Sequence, residues 1–227
     1  MAKDKLKSKR GKLAERKAGN RDPKPNTYLI VTEGEKTEPY YFDGLKNYIN
    51  GRYGNSIDAE KPIIETSGEG RSTSQLVLET SRIVKKSKRF YRHVWLIFDR
   101  DNNSDFDDAI QMAIQNGYKV GWSNQSFEYW IFLHFNFSDA DLLQGEWTAK
   151  INELFKRQGI DPNGYQKSDP RIFEIATQKG SLKAAVQYAR KIEARYSDRT
   201  PPSKCAPCTT VHHLIEELSP YLSELLK

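Results

Sequence analysis

The sequence predicts an α/β fold, a parallel sheet flanked by helices and followed by a helical C-terminal lobe. Two observations carry that expectation. Short β-branched and apolar runs alternate with helical segments up to about residue 136, and strand signals then vanish while helical ones continue. Strands alternating with helices make βαβ units, hence parallel strands with right-handed crossovers.

Thr27–Glu33 (TYLIVTE) reads as the first strand, and Glu38–Ile49 as a helix with Pro39 in its first turn. Lys61–Thr66 reads as the second strand. A Gly-rich turn, Ser67–Gly70, then leads into a helix over Thr73–Lys88. Val94–Asp99 (VWLIFD) is continuously apolar up to its final Asp, as a strand covered on both faces must be. Asp105–Gln115 is helical and closed by Gly117. Tyr118–Ser123 is the fourth strand, and Phe127–Phe135 an aromatic helix. Trp147–Arg157, Pro170–Thr177, Ser181–Tyr196 and Thr209–Leu226 read as further helices, with Pro201–Pro207 as a linker. The expected division is a basic arm over 1–24, an α/β core over 25–136 and a helical lobe over 137–227 packed on that core.

Charge is distributed unevenly. Of the net +6, residues 1–24 carry ten Lys/Arg against three acids, +7, which leaves the other 203 residues at −1. With two Leu and no aromatic, that arm cannot bury enough apolar surface to offset the entropy of ordering, and it is expected to be disordered. The +7 suits an accessory contact to nucleic acid. No apolar run approaches the roughly 20 residues of a membrane span, and no apolar stretch follows the basic start as in a signal peptide. Two cysteines, Cys205 and Cys208, exclude a disulfide framework. The expectation is a soluble, cytoplasmic protein without a membrane partner; a homo-oligomer is compatible with the sequence.

The chemistry-bearing residues are acids at strand ends, where open parallel sheets bind ligands. The first strand ends at Glu33, followed by Gly34, which permits a tight turn. The third ends in Asp99-Arg100-Asp101, where a period of two would put both carboxylates on one side. The fourth runs into Ser126-Phe127-Glu128 at a helix start. Carboxylates gathered on one edge repel one another unless protonated or neutralised by a cation, and hard oxygen donors favour Mg²⁺ or Mn²⁺. Arg71, in the turn after the second strand, opens on the same edge and could contact a phosphate; that turn lacks the Gly-Lys-Ser/Thr ending of a P-loop. Arg82, Lys85, Lys86, Lys88, Arg89 and Arg92 read as a solvated helix end.

The stretch IVTEGEKTEPYYF (30–42), then Phe98-Asp99-Arg100-Asp101, then SNQSFEYW (123–130) with Leu133-His134-Phe135, resembles the RloB-like proteins. The resemblance implies a Toprim fold in which Glu33, Asp99 and Asp101 bind Mg²⁺. Toprim nucleases of the overcoming-lysogenization-defect group add a Ser-x-Glu that helps hold metal, matched here by Ser126 and Glu128. They also carry a second Glu after the first, a position for which Glu35 and Glu38 both stand open. Lys167 is a candidate for their phosphate-contacting basic residue. The resemblance further implies a nuclease of phage-defence and abortive-infection loci, acting on DNA or on RNA/tRNA beside a co-encoded ATPase. The alternative is a non-catalytic module that binds nucleic acid or the ATPase as sensor or scaffold.

Cys205, Cys208, His212 and His213 could be drawn as a zinc site, but only three residues separate Cys208 from His212, too few to close a finger. The family resemblance instead makes Thr209 or Thr210 an N-cap and the cysteines incidental. His134, beyond Glu128 on the aromatic helix, reads as a buried hydrogen-bonded histidine, or else as a partner for a metal-bound carboxylate.

Overall fold

The computed structural model describes residues 27–34, 36–53, 63–68, 73–101 and 103–227. The basic arm, Glu35 and Arg71 lie outside the described residues. Five strands form one sheet: β1 (Thr27–Thr32), β2 (Ile63–Gly68), β3 (His93–Asp99), β4 (Lys119–Asn124) and β5 (Cys208–Thr209), in the order β2-β1-β3-β4-β5. The first four pair in parallel and β5 pairs antiparallel with β4. No described helix is long and apolar enough to cross a membrane.

The chain leaves β1 through α1 (Thr37–Tyr53) to β2 on one side, then returns through α2 (Thr73–Lys86) to β3 on the other side of β1. Strand order therefore reverses between β1 and β3, the place where an open α/β sheet leaves a crevice at its carboxyl edge. Side-chain alternation splits the core in two. Tyr28, Ile30, Trp95 and Ile97 face one layer with Tyr41, Phe42 and Leu45 of α1. Leu29, Val31, Leu96 and Phe98 face the other, with Leu76 and Val77 of α2 and with Phe106, Ala109 and Ile110 of α3 (Phe106–Gln115). Both faces are covered, which is why β1 and β3 read as continuous apolar runs.

α4 (Phe127–Leu133) is buried at every position. It packs against α5 (Gln144–Arg157) and α7 (Leu182–Glu193), while α6 (Ile172–Gln178) packs against α1. Trp147, Phe155, Phe173 and Leu214 thereby join the same apolar cluster as β1 and α1.

Two expectations for the C-terminal part are corrected. Residues 209–226 are not one helix. Cys208–Thr209 form a strand, α8 is only His212–Glu217, and a 3₁₀ turn at Ser219–Tyr221 contains Pro220. The physical reason lies in β4, which needs an edge partner: the Trp122 amide donates to Thr210 Oγ1 at 2.9 Å, and Ser123 Oγ meets Thr209 Oγ1 at 3.0 Å. The 201–207 segment is likewise no free linker. Asn124 Nδ2 donates to the carbonyls of Pro202 and Ser203, and the Ser203 amide donates to Asp107.

Candidate functional site

Glu33 directly follows β1 at the switch point. Its amide donates to the Ile97 carbonyl at 2.9 Å, which locks the strand end to β3. Its carboxylate accepts from the Asp99 amide (3.2 Å, Oε2), from Asn103 Nδ2 (3.2 Å, Oε1) and from Thr73 Oγ1 (3.4 Å, Oε1). Burial nevertheless pushes the group up to about 7, against the hydrogen bonds from Asp99 and Thr73 and with the charges of Asp101 and Glu38 adding to the rise.

Asp99 closes β3 and is 6 % exposed. Oδ2 accepts from the Phe127 amide at 2.9 Å, so the β3 carboxylate holds the first turn of α4. Oδ1 is buried with no partner among the described residues. Burial first, then Glu38, Glu128 and Asp101, hold this carboxyl well above the ordinary range. Asp101 is raised as well, by burial and by Glu128, with Lys167 opposing. The expected alternation of the Asp pair stops at the strand end: Asp101 has φ 37°, a left-handed conformation that Asp tolerates better than most residues, and its amide donates to the Gln125 carbonyl. Asp99 and Asp101 still repel each other, but a loop rather than the pleat directs the second.

Ser126 and Glu128 lie at the start of α4. Ser126 Oγ is buried, makes no cap hydrogen bond and has no partner among the described residues. Glu128 is 3 % exposed and its Oε1 lies 2.9 Å from Lys167 Nζ and 3.4 Å from the Tyr165 hydroxyl, which donates to it. Lys167 stands between α5 and α6, in a loop tied to the start of α1 by Thr37 Oγ1 donating to the Lys167 carbonyl at 2.8 Å. The loop turns at Gly164 (φ 77°), where a Cβ would strike Asn152 and Lys156.

Glu38 joins this group. It lies one residue into α1, is buried, and its carboxylate fills the space that a Cβ on Gly34 would occupy. Burial, then repulsion from Glu128 and Asp101, drive it up to about 7, with Lys167 opposing. Of the two glutamates left open by the sequence, Glu38 is therefore placed with the acids. His134 is not. Its Nδ1–H donates to the Trp130 carbonyl, so Nε2 accepts from the Tyr41 hydroxyl at 3.0 Å, and the ring stays within the apolar core.

The site thus brings together Glu33, Glu38, Asp99, Asp101 and Glu128 with one cation, Lys167. All donors are oxygen, two buried oxygens (Asp99 Oδ1 and Ser126 Oγ) have no protein partner, and four of the carboxyls are disfavoured as anions. That chemistry fits a hard divalent ion. Among the described residues, however, these acids do not bring three ligand oxygens within 4.8 Å of one another; Glu193, His212 and His213 do. Mutual repulsion of ionised carboxylates favours such spacing, and a bound cation would relieve it.

A family model described as RloB-like protein matches residues 28–218, from the first strand to the last helix and across every acid of the site. No curated protein and no solved structure matches the chain.

Proposed function

We propose that this chain, which belongs to the RloB-like protein family, is a Toprim-like, metal-dependent nuclease that hydrolyses phosphodiester bonds. The observation that carries the reading is the buried cluster of five acids at the β1/β3 switch point, where among the described residues only Lys167 pairs with one of them. Asp99, Asp101 and Glu128 would hold Mg²⁺ or Mn²⁺, with Glu33 and Glu38 completing the set and Ser126 Oγ adjacent. The ion supplies activation of a water and neutralisation of charge on the leaving oxygen.

The protein's own residues do the rest. Glu33 is anchored on the Asp99 amide and keeps β1 and β3 in register at the reacting edge. Asp99 fixes α4 through the Phe127 amide and so fixes Glu128. Lys167, half-exposed and 2.9 Å from Glu128, would be free to contact a substrate phosphate if a bound cation took over that carboxylate. The substrate is DNA or RNA/tRNA, with Arg71 and the basic arm as further phosphate contacts. The reading extends to a cytoplasmic anti-phage abortive-infection effector acting with a co-encoded ATPase, for which membership of the RloB-like family is the support.

One observation favours a second reading, a non-catalytic nucleic-acid or ATPase-binding module: Lys167 already neutralises Glu128 and the acids stand apart without an ion. Incubation with labelled DNA and RNA pools, with and without Mg²⁺, separates the two. The nuclease reading expects cuts that require the ion and vanish in Asp99→Ala/Asp101→Ala with the fold intact. Cleavage that persists in the double variant, or none by the wild type on any pool, overturns it.

A further inference from the structure

On the far side of β4 from the acid cluster's strand neighbours, α7 ends at Glu193 and α8 begins with His212 and His213, just past β5. Both imidazoles reach the same carboxylate oxygen. Glu193 Oε2 lies 3.1 Å from His212 Nε2 and 3.0 Å from His213 Nε2, and one ligand atom from each residue falls within 4.8 Å of the others.

His212 decides what this geometry is for. It is 1 % exposed, and its Nδ1 lies 3.2 Å from the Thr209 carbonyl, which can only accept. The Nδ1–H therefore donates to this carbonyl, which turns Nε2 toward Glu193. That Nε2 is buried and has no hydrogen-bond partner among the described residues, although a carboxylate oxygen faces it at 3.1 Å. A backbone carbonyl fixing the tautomer of a histidine so that the other nitrogen is free is the outer-shell arrangement of metal-binding histidines.

We propose that Glu193, His212 and His213 form a binding site for a borderline transition ion, Zn²⁺, with the fourth position taken by water. The dimensions agree: tetrahedral ligands about 2.0–2.1 Å from zinc stand roughly 3.4 Å apart, so small rotations of the carboxylate and rings suffice. Two nitrogens and one oxygen select zinc over magnesium. Glu193 also borders a pocket lined by Arg190, Tyr196, Cys205 and Cys208, which gives solvent a way in; Arg190 is held by Glu216 at 2.5 Å. The cysteines are not ligands, since the Cys205 thiol turns to the carbonyls of Thr200 and Pro201 and neither thiol joins the converging triad. The sequence spacing offers no reason to place zinc at the cysteines; the structure gathers the two histidines with Glu193 instead. By joining α7 to α8, the ion would clamp β5 onto β4. This site is independent of the proposed nuclease chemistry.

Zinc is titrated calorimetrically into the full chain stripped with EDTA, alongside His213→Gln, Glu193→Gln and Asp99→Asn. With excess Mg²⁺ present to occupy the carboxylates of the β1/β3 edge, the expected result is a zinc site that His213→Gln and Glu193→Gln weaken roughly tenfold or more, and that Asp99→Asn leaves unchanged. His213 is exposed, so its variant keeps the fold, which circular dichroism verifies. Co²⁺ in the wild type should also give the visible bands of a four-coordinate ion, absent in His213→Gln. Wild-type protein that binds no zinc, or a His213→Gln variant that binds it with wild-type affinity, overturns the proposal.

Discussion

The Lys167 ammonium lies 2.9 Å from Glu128 Oε1, and the two partners differ in setting: the lysine side chain is 44 % exposed and the glutamate 3 %. A half-solvated cation caps a buried anion, and it is the only basic side chain among the described residues paired with an acid of the cluster. Removing it strands the charge of Glu128. Lys167→Ala should therefore cost about 1–3 kcal/mol in EDTA, measured by urea denaturation, and most of that should return with Mg²⁺. An equal cost with and without Mg²⁺ would mean that Lys167 does not share its place with a cation.

Glu33 and Glu38 both stand near 7 instead of 4.5. The folded protein keeps their protons between about pH 4.5 and 7 while the unfolded chain releases them. The stability they contribute is thus complete below 4.5 and lost as pH rises through 7. Glu38→Gln removes one of these groups, so its stability relative to wild type should climb across that window, by on the order of 3 kcal/mol, and level off above it. Denaturation series at stepped pH in EDTA check this. A difference independent of pH would contradict the burial and repulsion assigned to Glu38.

Asp99 is a buried carboxyl whose anion is disfavoured by burial and by Glu38, Glu128 and Asp101. Asn at this position keeps an oxygen for the Phe127 amide and sheds the repulsion. Asp99→Asn should stabilise the metal-free protein by about 1–2 kcal/mol where the wild-type carboxyl is ionised, a gain that shrinks as pH falls and protonation relieves the wild type. A loss of stability at high pH would show that Asp99 serves the fold, not an ion.

Tyr41 and His134 form a buried pair apart from the acids. Burial pulls His134 down to about 4, so the unfolded chain takes up a proton that the folded chain refuses, and stability falls as pH drops from 6.5 toward 4. Tyr41→Phe leaves Nε2 without a donor and should cost about 1–2 kcal/mol at neutral pH, by thermal melting, with Mn²⁺ affinity unchanged. Weakened Mn²⁺ binding would instead tie His134 to the carboxylates.

Much of this was legible in the sequence, for identifiable reasons. β1 and β3 are buried on both faces, so TYLIVT and VWLIFD stand out by apolarity alone. Strand ends then locate Glu33, Asp99 and, through the following helix, Glu128. β5 escaped because two residues make no period; Cys208 and Thr209 are a strand only because β4 offers them an edge. Glu38 stayed undecided because its place depends on the helix returning its side chain over Gly34, and the capture of Glu128 by Lys167 spans 39 positions that no local pattern connects. The His212–Glu193 contact is equally remote, formed when α8 folds back on α7.

The central claim is that the acids at the β1/β3 edge are a site for a hard divalent ion. Calorimetric titration of Mn²⁺ into the full chain, in parallel with Asp99→Asn/Asp101→Asn, tests it most directly. The account predicts a binding event in the wild type that the double variant loses while its far-ultraviolet circular dichroism is unchanged. Identical isotherms for the two proteins would contradict it.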